Sequence, residues 1–227
     1  MSSTFPATLR IENIECSIPI QTDFLYNLMI QKYLQDGGDE RFLWSLPLIT
    51  DDIVVEVGGF TGVFSQAIIN RYQIKLFVLE PIKKYYELLS AKFSERENIK
   101  ILNYGLGKSG YADFGLSDAG TGIFSKSDKK ETVTLKSLEE FITDIGVSRI
   151  DILMINIEGG EYELLPQLLR SSYIERVRNL CIQFHLIKDS SIAEREDIRK
   201  NLNKTHEEVF SYPFVWERWQ LRGRSNI

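Results

Sequence analysis

The sequence predicts an α/β protein: one mostly parallel sheet with helices on both faces. Three observations carry this. The β-branched run Ile53–Val57 passes through Gly58 and Gly59 into a helical period at Val63, Phe64, Ala67 and Ile68. Apolar runs at 75–79 and 149–155 end in polar residues, Glu80 for one, Asn156 and Glu158 for the other. Short apolar strands alternating with helical stretches are the pattern of a sheet covered on both sides.

Along the chain, residues 7–20 read as extended and irregular. Thr22 and Asp23 suit a helix start. Its expected apolar face is Phe24, Leu25, Leu28, Met29 and Tyr33, and Gly37-Gly38 ends it. A second short helix is expected over 41–46, stopped by Pro47. Residues 1–50 would form a helical cap. A cap over a ligand cleft would offer Tyr26, Tyr33 or Trp44 to a substrate; packing such aromatics in the core is commoner.

The strand–glycine–helix unit at 53–68 is the first candidate site. Gly58 and Gly59 allow backbone angles closed to other residues. A helix start beyond them leaves free N–H groups for a ligand. Glu56, at the strand end, suits a positive or hydroxylated ligand. No Gly-Lys-Ser/Thr follows, so this is not a P-loop. Phe60 and Val63 stand where the dinucleotide fingerprint needs glycines. Candidate cofactor contacts are therefore Glu56, Gly58, Gly59, Phe60, Thr61 and Gly62.

An acid ending the second strand of a parallel sheet lies beside the first strand's glycine loop, where it can accept from ribose hydroxyls. Glu80 fits that place. Pro81 suits a first helical position, ahead of a stripe of Ile82, Tyr85, Tyr86, Leu89 and Phe93. A third strand at 100–104 exits through a glycine-rich stretch from Gly105, expected at the far end of the same cleft. Residues 111–130 read as a β excursion and loop with Lys126, Lys129 and Lys130 solvated. A short strand at 132–135 and a helix at 136–145, ended by Gly146, follow.

In the fourth strand Asn156 and Glu158 alternate, so they project to the same side. A helix follows on Leu164, Leu165, Leu168 and Leu169, with Pro166 expected near its start. A strand over 177–185 ends in His185. A charged helix at 191–203 and two strands at 207–212 and 214–222, turning at Pro213, complete the chain. No repeat or linker interrupts it, so residues 1–227 read as one domain, with the core from about 51.

The 227 residues carry a formal net charge of −5, pI near 5.3, 43% hydrophobic and 26% charged residues. An acidic balance argues against a broad nucleic-acid surface. Two cysteines, Cys16 and Cys181, cannot build a disulfide framework or a zinc site. The first residues are not a signal peptide and no apolar run is long enough to span a membrane, so a cytoplasmic setting is expected.

The stretches at 56–62, 78–81 and 155–161, in this order, resemble the FkbM family of methyltransferases. Glutamate-proline after strand two and Glu158-Gly-x-Glu161 after strand four are the distinctive pieces. The resemblance covers about 50–187. It implies a Rossmann-like, seven-stranded class I methyltransferase sheet. It also implies S-adenosylmethionine as donor, S-adenosylhomocysteine as product, and a hydroxyl of a sugar or natural product as acceptor. A deoxyhexose such as rhamnose or fucose in a glycan is the acceptor expected. Two positions depart from the family: Met154 and Asn156 replace its Lys-x-Asp, and Thr134-Leu135-Lys136 lacks its Asp. An Asn cannot act as a carboxylate base or an anionic metal ligand. The catalytic candidates are His185, Glu158 and Asn156, with His185 the expected base because imidazole titrates near neutrality. A non-catalytic binder of the same cofactor, or a dinucleotide or nucleotide-sugar enzyme, are the other readings. A metal requirement and the oligomeric state are not legible.

Overall fold

The computed structural model describes residues 4–5, 9–11, 14–16, 20–116, 122, 125 and 127–223, those before residue 24 by backbone alone. Seven strands make the central sheet: β1 (Ile53–Val57), β2 (Lys75–Leu79), β3 (Ile99–Leu102), β4 (Ile150–Ile155), β5 (Val177–Ile182), β6 (His206–Tyr212) and β7 (Trp216–Leu221). Their order is β6-β7-β5-β4-β1-β2-β3. Only β7 runs antiparallel to its neighbours. The strand order reverses between β1 and β4, and open α/β sheets bind ligands in the crevice at such a switch point.

The helices are α1 (Thr22–Gln35), α2 (Gly38–Phe42), α3 (Val63–Ile69), α4 (Lys83–Lys92), α5 (Leu138–Ile145), α6 (Glu161–Arg170) and α7 (Ser191–Leu202). The β period of two sorts the strand side chains onto two cores. Val54, Val78, Ile152 and Met154 face Ile68 of α3 and Leu89 of α4. Val55, Val57, Leu153 and Ile155 face Phe141, Leu164, Leu165 and Leu202 of α5, α6 and α7. Every residue of β4 is buried, which is why that stretch reads as a continuous apolar run. α5 starts in a reciprocal Ser137–Glu140 capping box and ends on Gly146 at φ 64°, a left-handed cap that glycine adopts without strain.

Several expectations need correction. α1 buries Leu25, Met29 and Tyr33, whereas Phe24 and Leu28 are exposed. α1 and α2 do not cover the ligand cleft. Their aromatics pack at the β6 edge, where Tyr33 meets Phe42 and Tyr212 with ring centroids 5.5 and 5.2 Å apart, and Trp44 packs into the α3–α4 core. α2 ends at Phe42, because Leu43 and Trp44 both donate to the Asp39 carbonyl. Pro81 precedes α4, whose N-cap is Ile82. Pro166 lies inside α6; the lost backbone bond is offset by burial of the leucines around it.

A small sheet crosses the β3 side: 105–106 pairs in parallel with Lys130–Lys136, which pairs antiparallel with Gly110–Gly115. It brings Phe114 and Leu135 beside Phe60, Ile82 and Tyr85. Lys126 lies outside the described residues. Short N-terminal ladders pair Leu9–Ile11 with Ile14–Cys16 and Thr4–Phe5 with Ile20–Gln21. Among the described residues no helix is long and apolar enough to cross a membrane.

Candidate active site

A cavity of about 310 Å³ opens at the carboxyl edge of β1, β2, β4 and β5, in the size range of cofactor sites. Gly58, Glu80, Asn156 and Gln183, each the first residue beyond one of these strands, line it. Its other end is apolar, with Phe60, Ile82, Tyr85, Leu106, Phe114 and Leu135. The Phe60 and Tyr85 rings stand 4.5 Å apart.

The glycine loop divides its labour. Gly58 has φ 93°, and a Cβ there would lie 2.1 Å from the Asn156 carbonyl oxygen. Its bareness is therefore required by the next strand's backbone. Gly59 and Gly62 face away from the cavity: a Cβ on either would strike Leu89 of α4, at 2.8 and 2.6 Å. The Thr61 carbonyl accepts from Lys92 at 3.2 Å. Of the loop, only Gly58 and Phe60 line the cavity.

Glu56, expected at the ligand, is turned beneath the loop instead. It is buried and its carboxyl accepts a short hydrogen bond from the Ser65 hydroxyl. Burial pushes it up to about 8, against the Ser65 bond and with help from Glu80. Glu80 does line the cavity. Its carboxylate accepts from the Phe60 N–H at 2.8 Å and the Ile82 N–H at 2.8 Å, fixing Phe60 at φ 46°. Burial raises the Glu80 carboxyl while those N–H groups oppose the rise. Pro81 and Gly105 also line the cavity.

Beyond β4 the chain holds a polar cluster. Asn156 donates its backbone N–H to Val57 at 3.1 Å, and its buried Oδ1 has no hydrogen-bond partner among the described residues. Glu158 sits at φ 49°, a left-handed conformation, and lines the cavity. Such strain in a non-glycine residue persists where surroundings hold it, often at functional sites. Its Oε1 is 3.2 Å from His185 Nε2. His185 Nδ1 lies 3.1 Å from Glu161 Oε1.

This geometry corrects the assignment of His185 as base. His185 does not line the cavity. Burial pushes its imidazole down, but the bonds to Glu158 and Glu161 outweigh burial and raise it to about 9. A carboxylate at each ring nitrogen favours the doubly donating imidazolium, which has no free lone pair. His206 is structural: it is buried at the opposite sheet edge, its Nε2 2.9 Å from the Val177 carbonyl. Met154, where the family has Lys, is packed in the α3–α4 core. Gln183 has no role in the sequence reading, and Glu161 appears there only as the last residue of the Glu158-Gly-x-Glu161 motif. Gln183 was detectable as a polar residue interrupting an apolar strand end.

The family profile of the FkbM methyltransferase domain matches residues 54–212. The chain belongs to the FkbM methyltransferase family. Among solved structures, the FkbM methyltransferase of Methylobacillus flagellatus KT superposes with a TM-score of 0.51 at 11% identity, over 78% of this chain and 45% of that one. An rRNA methylase from Streptococcus thermophilus gives 0.48 at 11% identity, over 79% and 92%. No curated protein matches the sequence. The chain spans less than half the length of the Methylobacillus protein, and at such identity the likeness bears on the fold alone.

FkbM domains take their methyl group from S-adenosylmethionine. The residues present fit that donor. The cavity combines an apolar aromatic end for an adenine, an acid after β2 for a ribose, and the orphaned Asn156 oxygen as an acceptor for a donor group. Its ionisable lining among the described residues is acidic, Glu80 and Glu158, which suits a cationic sulfonium and ammonium.

Proposed function

We propose that this FkbM domain methylates a hydroxyl oxygen of a sugar, a deoxyhexose such as rhamnose or fucose in a glycan or a glycosylated natural product. The observation that carries the reading is Glu158, a carboxylate held at the cavity by strained backbone and by His185 behind it. A sugar hydroxyl is a weak acid, so transfer benefits from a base within hydrogen-bond reach. S-adenosylmethionine, when bound, supplies a methyl group already activated as a sulfonium. Glu80, Asn156 and the Phe60–Tyr85 end would hold and orient it. Glu158 accepts the hydroxyl proton, and the His185 ring, 3.2 Å from its Oε1, keeps it turned toward the cavity. Neither Lys nor Arg lines the cavity among the described residues. That favours an uncharged acceptor over a phosphate backbone, which needs cations. With two cysteines in the whole sequence, we place the protein in the reducing cytoplasm.

The test is a methyl-transfer assay against rhamnosides, fucosides, other glycosides and an RNA control, with S-adenosylhomocysteine affinity measured in parallel. Turnover on a glycoside is expected. Glu158→Gln should lower it by about 100-fold or more, the scale of general-base loss, with affinity unchanged. Methylation of RNA alone would overturn the sugar assignment. Cofactor binding without any turnover would point to a binding protein.

A further inference from the structure

We propose that Glu161 is a positioning residue: its buried carboxylate aligns the His185 imidazole so that Nε2 faces Glu158 and Glu158 meets the acceptor hydroxyl. The proposal rests on reading Glu158 as the proton acceptor.

Glu161 is fully buried. A buried carboxylate is costly unless it is paired and hydrogen-bonded. Its Oε2 accepts from the Gly159 N–H at 2.9 Å. Its Oε1 accepts from the His185 backbone N–H at 2.7 Å and faces the ring Nδ1 at 3.1 Å. One side chain therefore fastens the segment after β4 to the segment after β5. Glu161 is also the first residue of α6, where an acid is favourable in any helix. A helix-start role accounts for the Gly159 bond. It does not account for two bonds to His185, which lies outside the helix.

The consequences converge on Glu158. Its left-handed backbone is followed by Gly159 at φ 101°, the residue whose N–H Glu161 holds. With Nδ1 turned to Glu161, the opposite ring nitrogen points at Glu158 Oε1, 3.2 Å away. Among the described residues, the charged groups facing the ring are these two carboxylates. From the elements packed around it, the Tyr162 hydroxyl donates to the His185 carbonyl at 2.8 Å, Lys188 pairs with Glu194 at 2.8 Å, and Arg195 of α7 lies over the neighbouring Phe184 ring at 5.8 Å. The arrangement acts as an orienting carboxylate, an imidazolium and an outward carboxylate in series. Losing Glu161 frees the ring to rotate and leaves Glu158 without a fixed partner.

The experiment is a pH titration of the full chain labelled with ¹⁵N-histidine, with His206 as internal reference. In the wild type, both His185 ring nitrogens should carry protons at pH 7 and titrate near 9. Glu161→Gln should lower that midpoint by about one unit or more and leave His206 unmoved. It should also reduce kcat by about tenfold or more, as loss of an orienting carboxylate does, with KM and S-adenosylhomocysteine affinity unchanged. Glu158→Gln/Glu161→Gln should be no slower than Glu158→Gln alone, since residues acting through one another are not additive. An unprotonated Nδ1 in the wild type at pH 7, or an unmoved midpoint in Glu161→Gln, would overturn the proposal. If Glu161→Gln does not fold, the wild-type spectrum still decides. If Glu158 is not the proton acceptor, the midpoint shift persists while Glu158→Gln keeps full turnover, which separates the two failures.

Discussion

Glu56 and His185 give the protein a defined pH response, because both are raised above their ordinary values. Glu56, buried under the glycine loop, is raised to about 8 from 4.5. The unfolded chain ionises first, so Glu56 subtracts stability progressively between those values. His185 is raised to about 9 from 6.5. Its contribution is fully present below 6.5 and is lost as the pH rises through 9. Both effects have the same sign, so the melting temperature should fall steadily from pH 5 to 9. Glu56→Gln, which can still accept from Ser65, should flatten the lower part of that slope and His185→Gln the upper part; a melting curve flat in pH for the wild type would contradict both placements. At this scale the sequence showed Glu80, Asn156, Glu158 and His185, because polar residues ending apolar strands stand out. It misplaced Glu56, since a strand-end acid looks the same whether it faces the cleft or the helix behind it. It marked Glu161 within the Glu158-Gly-x-Glu161 motif but gave it no role, because its partner His185 is far along the chain.

The strand–turn–helix unit from β1 to α3 shows why a glycine motif is not simply a ligand motif. Gly58 clears the Asn156 carbonyl, and Gly59 and Gly62 clear Leu89. A bulky residue at Gly58 would therefore disturb β4 before it excluded any cofactor. Gly146 provides the contrast: it also has positive φ, but a Cβ there meets nothing within 4 Å. Gly146→Ala should cost only the backbone strain, on the order of 1–2 kcal/mol. Gly58→Ala should cost clearly more, because the clash with backbone cannot relax by a rotamer change. Urea denaturation of the two variants checks this; equal losses would mean that β4 is not pressed against the loop. The strands and the long helices were legible because their periods are strong. The place of Pro166 in α6 was not, because tertiary burial decided it against local preference; nor was the end of α2, where Leu43 and Trp44 both donate to the Asp39 carbonyl.

Across the whole molecule, the sheet order follows from β-α-β crossovers of fixed hand, so the switch point between β1 and β4 was foreseeable once the strands were identified. The position of α1 and α2 was not. It depends on Tyr33 and Phe42 meeting Tyr212, contacts between the two ends of the chain that no local pattern announces. The fold thus delivers the ends of β1, β2, β4 and β5 to one edge and leaves a cavity with apolar and acidic parts. The central claim is that this cavity holds the methyl donor. Asn156 tests it most directly, because its buried Oδ1 has no partner among the described residues and an unsatisfied buried acceptor costs about 1–3 kcal/mol. Asn156→Leu keeps the size and removes that cost. Calorimetric titration of S-adenosylhomocysteine into the wild type and Asn156→Leu, with melting temperatures recorded, is the deciding measurement. Expected are one site in the wild type, an equal or higher melting temperature for the free variant, and affinity weakened by about tenfold or more, which is 1.4 kcal/mol or more. Equal affinity in a folded Asn156→Leu, or no binding by the wild type, would contradict that claim.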